Sequence, residues 1–241
     1  MKFSAFFLLL IIYTSALQAQ RTPKDMEAET NLRRLNTKGS DNNVIMAFDQ
    51  RYQGVKGSPF LFNEWANVDI YFTDGKMVDS LTVKYDMVND ELITNRLDGE
   101  PWYVYKPTVK EFLIEDPEKP LHLKFIKLED DKSEDGKYFN VFVDGSIPLL
   151  KHTKVEFFKA DYKGGYNANR PYDAFEPTVS WYVIGEKNKA VKISKSTKGV
   201  VQLFPDHRQE EIKKYIKKER LLMRNEDHLI QVFQYFNTSE K

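Results

Sequence analysis

Val68-Asp69-Ile70-Tyr71-Phe72-Thr73-Asp74-Gly75-Lys76 is the stretch whose reading decides the fold. Val68, Ile70 and Phe72 fall on one side of an extended chain, and Asp69, Tyr71 and Thr73 on the other. That alternation marks a strand buried on one face. Asp74-Gly75 then supplies the positive φ angles that a tight hairpin turn needs. Beyond the turn, Leu81, Val83 and Tyr85 alternate with Thr82 and Lys84 and predict the returning strand.

The same grammar runs outward in both directions from Val44 to Phe204. Asp98-Gly99, Asp135-Gly136 and Asp144-Gly145 are expected turns. Alternating rows recur at Trp102/Val104, Leu121/Leu123/Phe125, Phe139/Val141/Val143, Val155/Phe157 and Val179/Trp181/Val183. Glu186-Lys187-Asn188-Lys189 reads as a hairpin tip leading to Val191 and Ile193. About ten strands joined by short turns predict an antiparallel sheet folded as a sandwich, half-barrel or roll. The class is mainly β, within α+β.

After Phe204 the period changes. Asp206 with Gln209 three residues on resembles a capping box. Ile212, Tyr215 and Ile216 form an apolar face, while Lys213, Lys214, Lys217 and Lys218 lie mostly off it. Asn225 can cap a second helix, whose first turn carries Glu226 and Asp227 and whose stripe is Leu229, Ile230, Phe233 and Phe236. The expected organisation is therefore a signal peptide over 1–19, a polar leader over 20–43, the β domain over 44–204, and a helical hairpin over 205–241 packed on the sheet.

The N-terminal segment predicts export. Lys2 is the single charge before the apolar run Ala5 to Tyr13, and small or polar residues lead to Ala19. This is the order of a secretory signal. The run is too short for a membrane span, which needs roughly 20 residues. Cysteine is absent, so disulfides, thiolate metal sites and cysteine nucleophiles are excluded. Lysine plus arginine and aspartate plus glutamate number 36 each. This balance lacks the global basic excess of nucleic-acid binders.

No catalytic motif stands out. Nucleophile elbow, P-loop and dinucleotide fingerprint are missing. His122, His152, His207 and His228 share no ligand spacing. The acidic loop Glu129-Asp130-Asp131 with Glu134-Asp135 lacks the spacing of a calcium loop. The Asn237-Thr238-Ser239 triplet matches a glycosylation pattern by chance. No catalytic, metal or cofactor residue is assigned. The connection from Asp161 to Asp173 is the candidate contact surface, through Tyr162, Tyr166, Asn167, Asn169, Arg170 and Tyr172. Long polar loops rich in Tyr, Asn and Arg are what recognition surfaces use.

Gly57-Ser58-Pro59-Phe60-Leu61-Phe62, Asp74-Gly75-Lys76, Leu81 to Asp86, Asn89 to Leu92, Val109 to Phe112, Ala160 to Tyr162 and Phe204 to Lys218 are a chain of short matches in order. Together they resemble a family of uncharacterised exported proteins of Bacteroidota-type bacteria. The resemblance implies a periplasmic or outer-membrane-associated protein and carries no activity or site residue with it. The function expected is a non-enzymatic envelope protein that binds another envelope protein. The alternatives are a glycan- or lipid-binding protein, with Trp65, Trp102 and Trp181 as stacking surfaces, and a hydrolase with dispersed carboxylates. No cofactor and no nucleic-acid partner are expected.

Overall fold

A computed structural model describes residues 44–45, 55–95, 101–130, 133–160 and 172–239. The segments expected to be signal peptide and leader lie outside the described residues, as does Asp98-Gly99.

Eleven strands form one antiparallel sheet in the order β1-β5-β4-β3-β2-β6-β7-β8-β9-β10-β11. They are β1 Val44–Ile45, β2 Ala66–Phe72, β3 Met77–Asp86, β4 Glu91–Asn95, β5 Pro101–Val104 and β6 Val109–Glu115. Then follow β7 His122–Asp130, β8 Ser133–Val143, β9 Leu149–Phe158, β10 Ala174–Ile184 and β11 Ala190–Lys192. The deciding stretch behaves as read: β2 alternates strictly between buried and half-buried residues, and Gly75 takes φ +82° in its turn.

The order forces the sheet to curl. β5 lies at the far side of β4, β3 and β2 from β6, yet only Tyr105 to Thr108 join β5 to β6. Four inter-strand steps across a flat sheet come to roughly 19 Å. Five extended Cα steps span roughly 17 Å, and a 3-10 turn at Lys106–Thr108 shortens the link further. The strands must therefore roll around the core they enclose. That core contains Ile70, Leu81, Val83, Tyr85, Phe112, Phe125 and Tyr138. Its aromatic centre stacks Phe112 on Phe125 at 4.8 Å, with Tyr85 and Tyr138 edge-on to Phe112 at 5.6 and 5.0 Å.

A second curl buries the opposite face. Tyr138 points into the first core, while its neighbour Phe139 joins Leu128 and Leu150 in another cluster. The end of β7 meets the β10–β11 turn through a Glu129↔Lys189 bridge. The expected row Phe139/Val141/Val143 does not keep to one face. A bulge between Val141 and Val143 turns Val143 to the other side, beneath the helices. Asp135-Gly136 is likewise no turn: it lies inside β8, where the register shifts opposite Leu128 and Gly136 takes φ +72°.

Three helices cover the back of the second curl: α1 Thr197–Val201, α2 Asp206–Lys218 and α3 Glu226–Ser239. Ile212, Ile216, Leu229, Val232, Phe233 and Phe236 pack there with Leu149, Trp181, Val183 and Ile193. Helix α1 lies inside the range expected to be all strand. It is five residues long, too short for a periodic signal, and is capped by Ser196 Oγ accepting from Gly199 N–H at 3.1 Å. Asn225 caps α3 as expected, its Oδ1 accepting from Asp227 N–H at 2.8 Å. The capping box at Asp206 does not form: Pro205 is the cap, and Asp206 is the first helical residue. Gln209 donates instead to the Phe204 carbonyl and to Asp206.

Asn237 ties the helices to the sheet. Its Nδ2 donates to the Ile147 carbonyl at 3.0 Å, and its Oδ1 accepts from Ile147 N–H at 3.1 Å and Ser146 Oγ at 3.3 Å. An asparagine buried and bonded at both ends of its amide cannot also accept a glycan.

Candidate functional site

The two curls part company between β8 and β9. Their ladder runs Val143↔Leu149, Val141↔Leu150, Asn140↔Lys151 and then stops. Continuing the same register would set Tyr138 opposite Thr153. The β3–β4 turn, Met87 to Asp90, fills that place instead. Asp90 Oδ2 accepts from Tyr138 N–H at 3.2 Å, and Met87 C=O accepts from Val155 N–H at 3.4 Å. A side chain and a turn carbonyl thus take ladder bonds that the neighbouring strand no longer makes.

Local chemistry shapes the turn for this role. Asp86, almost fully buried, accepts from Val88 N–H at 2.8 Å, Asn89 N–H at 3.2 Å and Asn89 Nδ2 at 2.9 Å. Aspartate side chains favour such turns. Asp90 itself takes φ +59°. Its carboxylate also accepts from Tyr85 Oη at 2.5 Å and from Lys106 Nζ at 2.6 Å. Burial, then the Asp90 charge, pushes the Tyr85 hydroxyl well above the ordinary tyrosine range. The same two causes raise Tyr138, whose ring also carries Lys106 Nζ at 5.4 Å from its centre.

Above this wedge opens a groove of about 970 Å³. Its floor is one face of the β9–β10 ladder, with Ser180 opposite His152 and Thr178 opposite Lys154. Tyr182 continues the β10 row at the end where it and His152 lean on Phe139, with ring centres at 4.9 and 5.3 Å. One wall is Met87 to Asp90 with Lys106 and Lys137; the other runs from Glu186 through Lys189 to Lys192. Lys154 lies 2.5 Å from Glu156, and Lys106 is held by Asp90. Thr178, Ser180 and Tyr182 are alternate residues of one strand, so their Cα atoms stand roughly 7 Å apart and their hydroxyl-bearing side chains share one face. Such a row offers donors and acceptors to a hydroxyl-bearing ligand lying along it.

The sequence did not single out these residues. They come from a turn, two 3-10 segments and four strands that chain order keeps far apart. Of the six residues expected to form a contact surface, Tyr162, Tyr166, Asn167, Asn169 and Arg170 lie outside the described residues. Tyr172 is exposed away from the groove and receives a hydrogen bond of 2.7 Å from Lys56 Nζ. None of the tryptophans lines the groove. Trp181 is core, 2 % exposed, and Trp65 lies outside the sheet beside Lys84, 5.6 Å from its ammonium.

Asp116 and His228 have local roles. Asp116 Oδ1 accepts from Glu118 N–H at 2.9 Å in the β6–β7 turn. His228 Nδ1 accepts from Leu222 N–H at 2.9 Å between the two longer helices. Among the described residues no three His, Asp or Glu side chains converge as metal ligands. No helix among them is long and apolar enough to cross a membrane. No family model, curated protein or solved structure matches the chain.

Proposed function

We propose that this chain is an exported binding protein that holds a polar, glycan-type ligand in the groove between its two curls. The observation carrying this reading is the floor: an open concave sheet face with hydroxyls at Thr178, Ser180 and Tyr182, set between two polar walls. Charged and hydroxyl side chains dominate the lining, which suits a hydrated ligand better than an acyl chain. Export rests on the order of charge, apolar run and small residues over Met1 to Ala19.

A glycan array probed with the mature chain and with Ser180→Trp tests the reading. Ser180 is half-buried in the groove floor, so the indole obstructs the groove. Signals on the array that vanish with Ser180→Trp support the proposal. A blank array, or signals unchanged by the substitution, sinks it.

A second reading, docking to another envelope protein, draws on the opposite face. Phe142 and Phe157 stand 44 % and 40 % exposed there, with Phe142 edge-on to Trp181 at 5.1 Å. A photo-cross-linking residue at position 142 tests it in intact cells. One recurrent partner supports docking, and the absence of any adduct removes it.

A further inference from the structure

Charge is balanced over the whole chain and uneven along it. From Lys213 to Arg224 stand six basic residues and a single carboxylate, Glu219. This stretch is the second half of α2 and the connection that leads to α3. Lys213 is held by Glu210 at 3.1 Å, and Lys218 lies 3.5 Å from Glu219. Lys214, Lys217, Arg220 and Arg224 are exposed, and their side chains make no ion pair or hydrogen bond among the described residues. In the first turn of α3, Glu226 is drawn to Lys195 at 3.7 Å, and Asp227 is the remaining carboxylate there.

Leu222 lies in the middle of the connection and is 67 % exposed, more than any other large apolar side chain described. A lone exposed leucine is ordinary on a protein surface. This one is held out by its surroundings. Leu221 and Met223 on either side are buried in the core beneath the helices. Leu222 N–H donates to His228 Nδ1 at 2.9 Å, and its carbonyl accepts from Asn225 N–H at 2.9 Å. Helix α2 closes with Leu221 N–H donating to the Ile216 carbonyl at 2.9 Å and Arg220 N–H to the Lys217 carbonyl at 3.3 Å. That ending puts Arg220 in the left-handed region, at φ +54°. Glycine is the usual residue at such a helix end. An arginine there accepts backbone strain for a side chain that the fold itself does not use.

We infer that the α2–α3 connection docks the protein on an anionic bilayer surface, with Leu222 entering the headgroup layer and Lys214, Lys217, Arg220 and Arg224 meeting the lipid charges. None of these residues lines the groove, so the inference stands apart from the groove reading. The physical argument is that two weak attractions act together. Basic residues are drawn to an anionic surface, each by a modest amount, and an inserted apolar side chain adds a contribution that salt does not screen. Long lysine and arginine side chains can keep their charges at headgroup level while the leucine goes deeper. An acidic protein would meet the same cations. Its interface would call for a broader apolar centre, rich in aromatic residues, than one leucine supplies. A bilayer needs no matching shape and accepts a single apolar residue ringed by cations.

The test is co-sedimentation with vesicles, using the chain without residues 1–19, whose apolar run would itself bind lipid. One set of vesicles is phosphatidylcholine alone, and the other is equal parts phosphatidylcholine and phosphatidylglycerol. Partitioning onto the anionic vesicles is expected to be at least about tenfold stronger and to fall as salt rises. Leu222→Ser is expected to weaken it about tenfold. Arg220→Gly is expected to weaken it about fivefold. Its melting temperature should be no lower than the parent's, because glycine suits the positive φ, so a loss of binding by this variant is not a loss of fold. The chain has no cysteine, so Leu222→Cys offers a single site for an environment-sensitive dye. Its emission should shift to the blue on anionic vesicles, while the same dye at Lys119→Cys, in the β6–β7 turn, should not respond. Equal binding to both vesicles, no binding to either, binding that both Leu222→Ser and Arg220→Gly leave unchanged, or an equal dye response at position 119 would each overturn the inference. A recurrent acidic protein captured by a photo-cross-linking residue at position 222, with vesicles left unbound, would replace the bilayer with that protein.

Discussion

Tyr138 donates its backbone N–H to the carboxylate of Asp90 at 3.2 Å, in the place that Thr153 would hold if β8 and β9 stayed paired beyond Asn140↔Lys151. One side chain thereby terminates a ladder and lets a single sheet curl two ways. The groove exists because of that substitution.

Asp90→Ala removes the acceptor for Tyr138 N–H, Tyr85 Oη and Lys106 Nζ together. The expected loss of stability is about 3 kcal/mol, from partly buried donors left without a partner. Urea unfolding measures it. A change below about 0.5 kcal/mol, the usual range of a surface substitution, would mean the wedge is incidental.

Alkaline pH should unfold the protein steeply. Tyr85 and Tyr138 are raised above the ordinary value of 10.0 in the folded state, first by burial and then by Asp90. Below that pH both states keep the phenol protonated, so the full stability is present. Above it the unfolded chain releases protons that the native state retains, and stability falls with rising pH. Each tyrosine contributes a slope of about 1.4 kcal/mol per pH unit. Denaturation midpoints measured from pH 8 upward should show the fall begin near the ordinary phenol value, and Tyr85→Phe should reduce its slope. An identical slope in the variant would show that Tyr85 ionises as readily folded as unfolded.

Gly145 lies under the helix anchor. It takes φ +146°, and a Cβ there would come within 2.4 Å of the Asn237 side chain. Gly145→Ala should displace Asn237 and cost about 2 kcal/mol, and Asn237→Ala about as much, since each frees Ile147 N–H and C=O from their buried partners. The two losses should not add, because both break the same bonds. Additive losses in a double-mutant cycle would separate the loop from the helix anchor.

Ser180→Trp should leave the melting temperature within about 3 °C of the parent while abolishing ligand binding, since the residue stands in the groove floor, on a ladder whose opposite face carries the core. A large drop in melting temperature would show that the groove floor is part of the packed interior.

Much of the sheet was legible in the residues. Val68, Ile70 and Phe72, Leu81, Val83 and Tyr85, and Trp181 and Val183 sit buried where alternation puts them, with Val179 half-buried in the same row. Where alternation failed, a bulge was responsible: at Phe142 it carries Val143 to the other face, and near Gly136 it hides inside a strand what reads as a turn. Val191, placed in a buried row with Ile193, stands 43 % exposed on the groove wall, because β11 ends at Lys192 and Ile193 turns back toward Trp181.

By itself the sequence determined the local structure: strands from period-two burial, turns such as Asp74-Gly75 from backbone freedom, and the helix start at Asn225 from its capping side chain. These depend on neighbours along the chain. The groove depended on contacts between residues 48 or more positions apart, Tyr138 with Asp90 and Val155 with Met87. Nothing in the spacing of Asp90 announces that its carboxylate will stand in for a strand. Which lysines share a wall is equally decided by the curl, since a balanced composition is compatible with any distribution of charge over the surface. Only the tertiary structure, by splitting β8 from β9, turned scattered lysines and hydroxyls into one concave site.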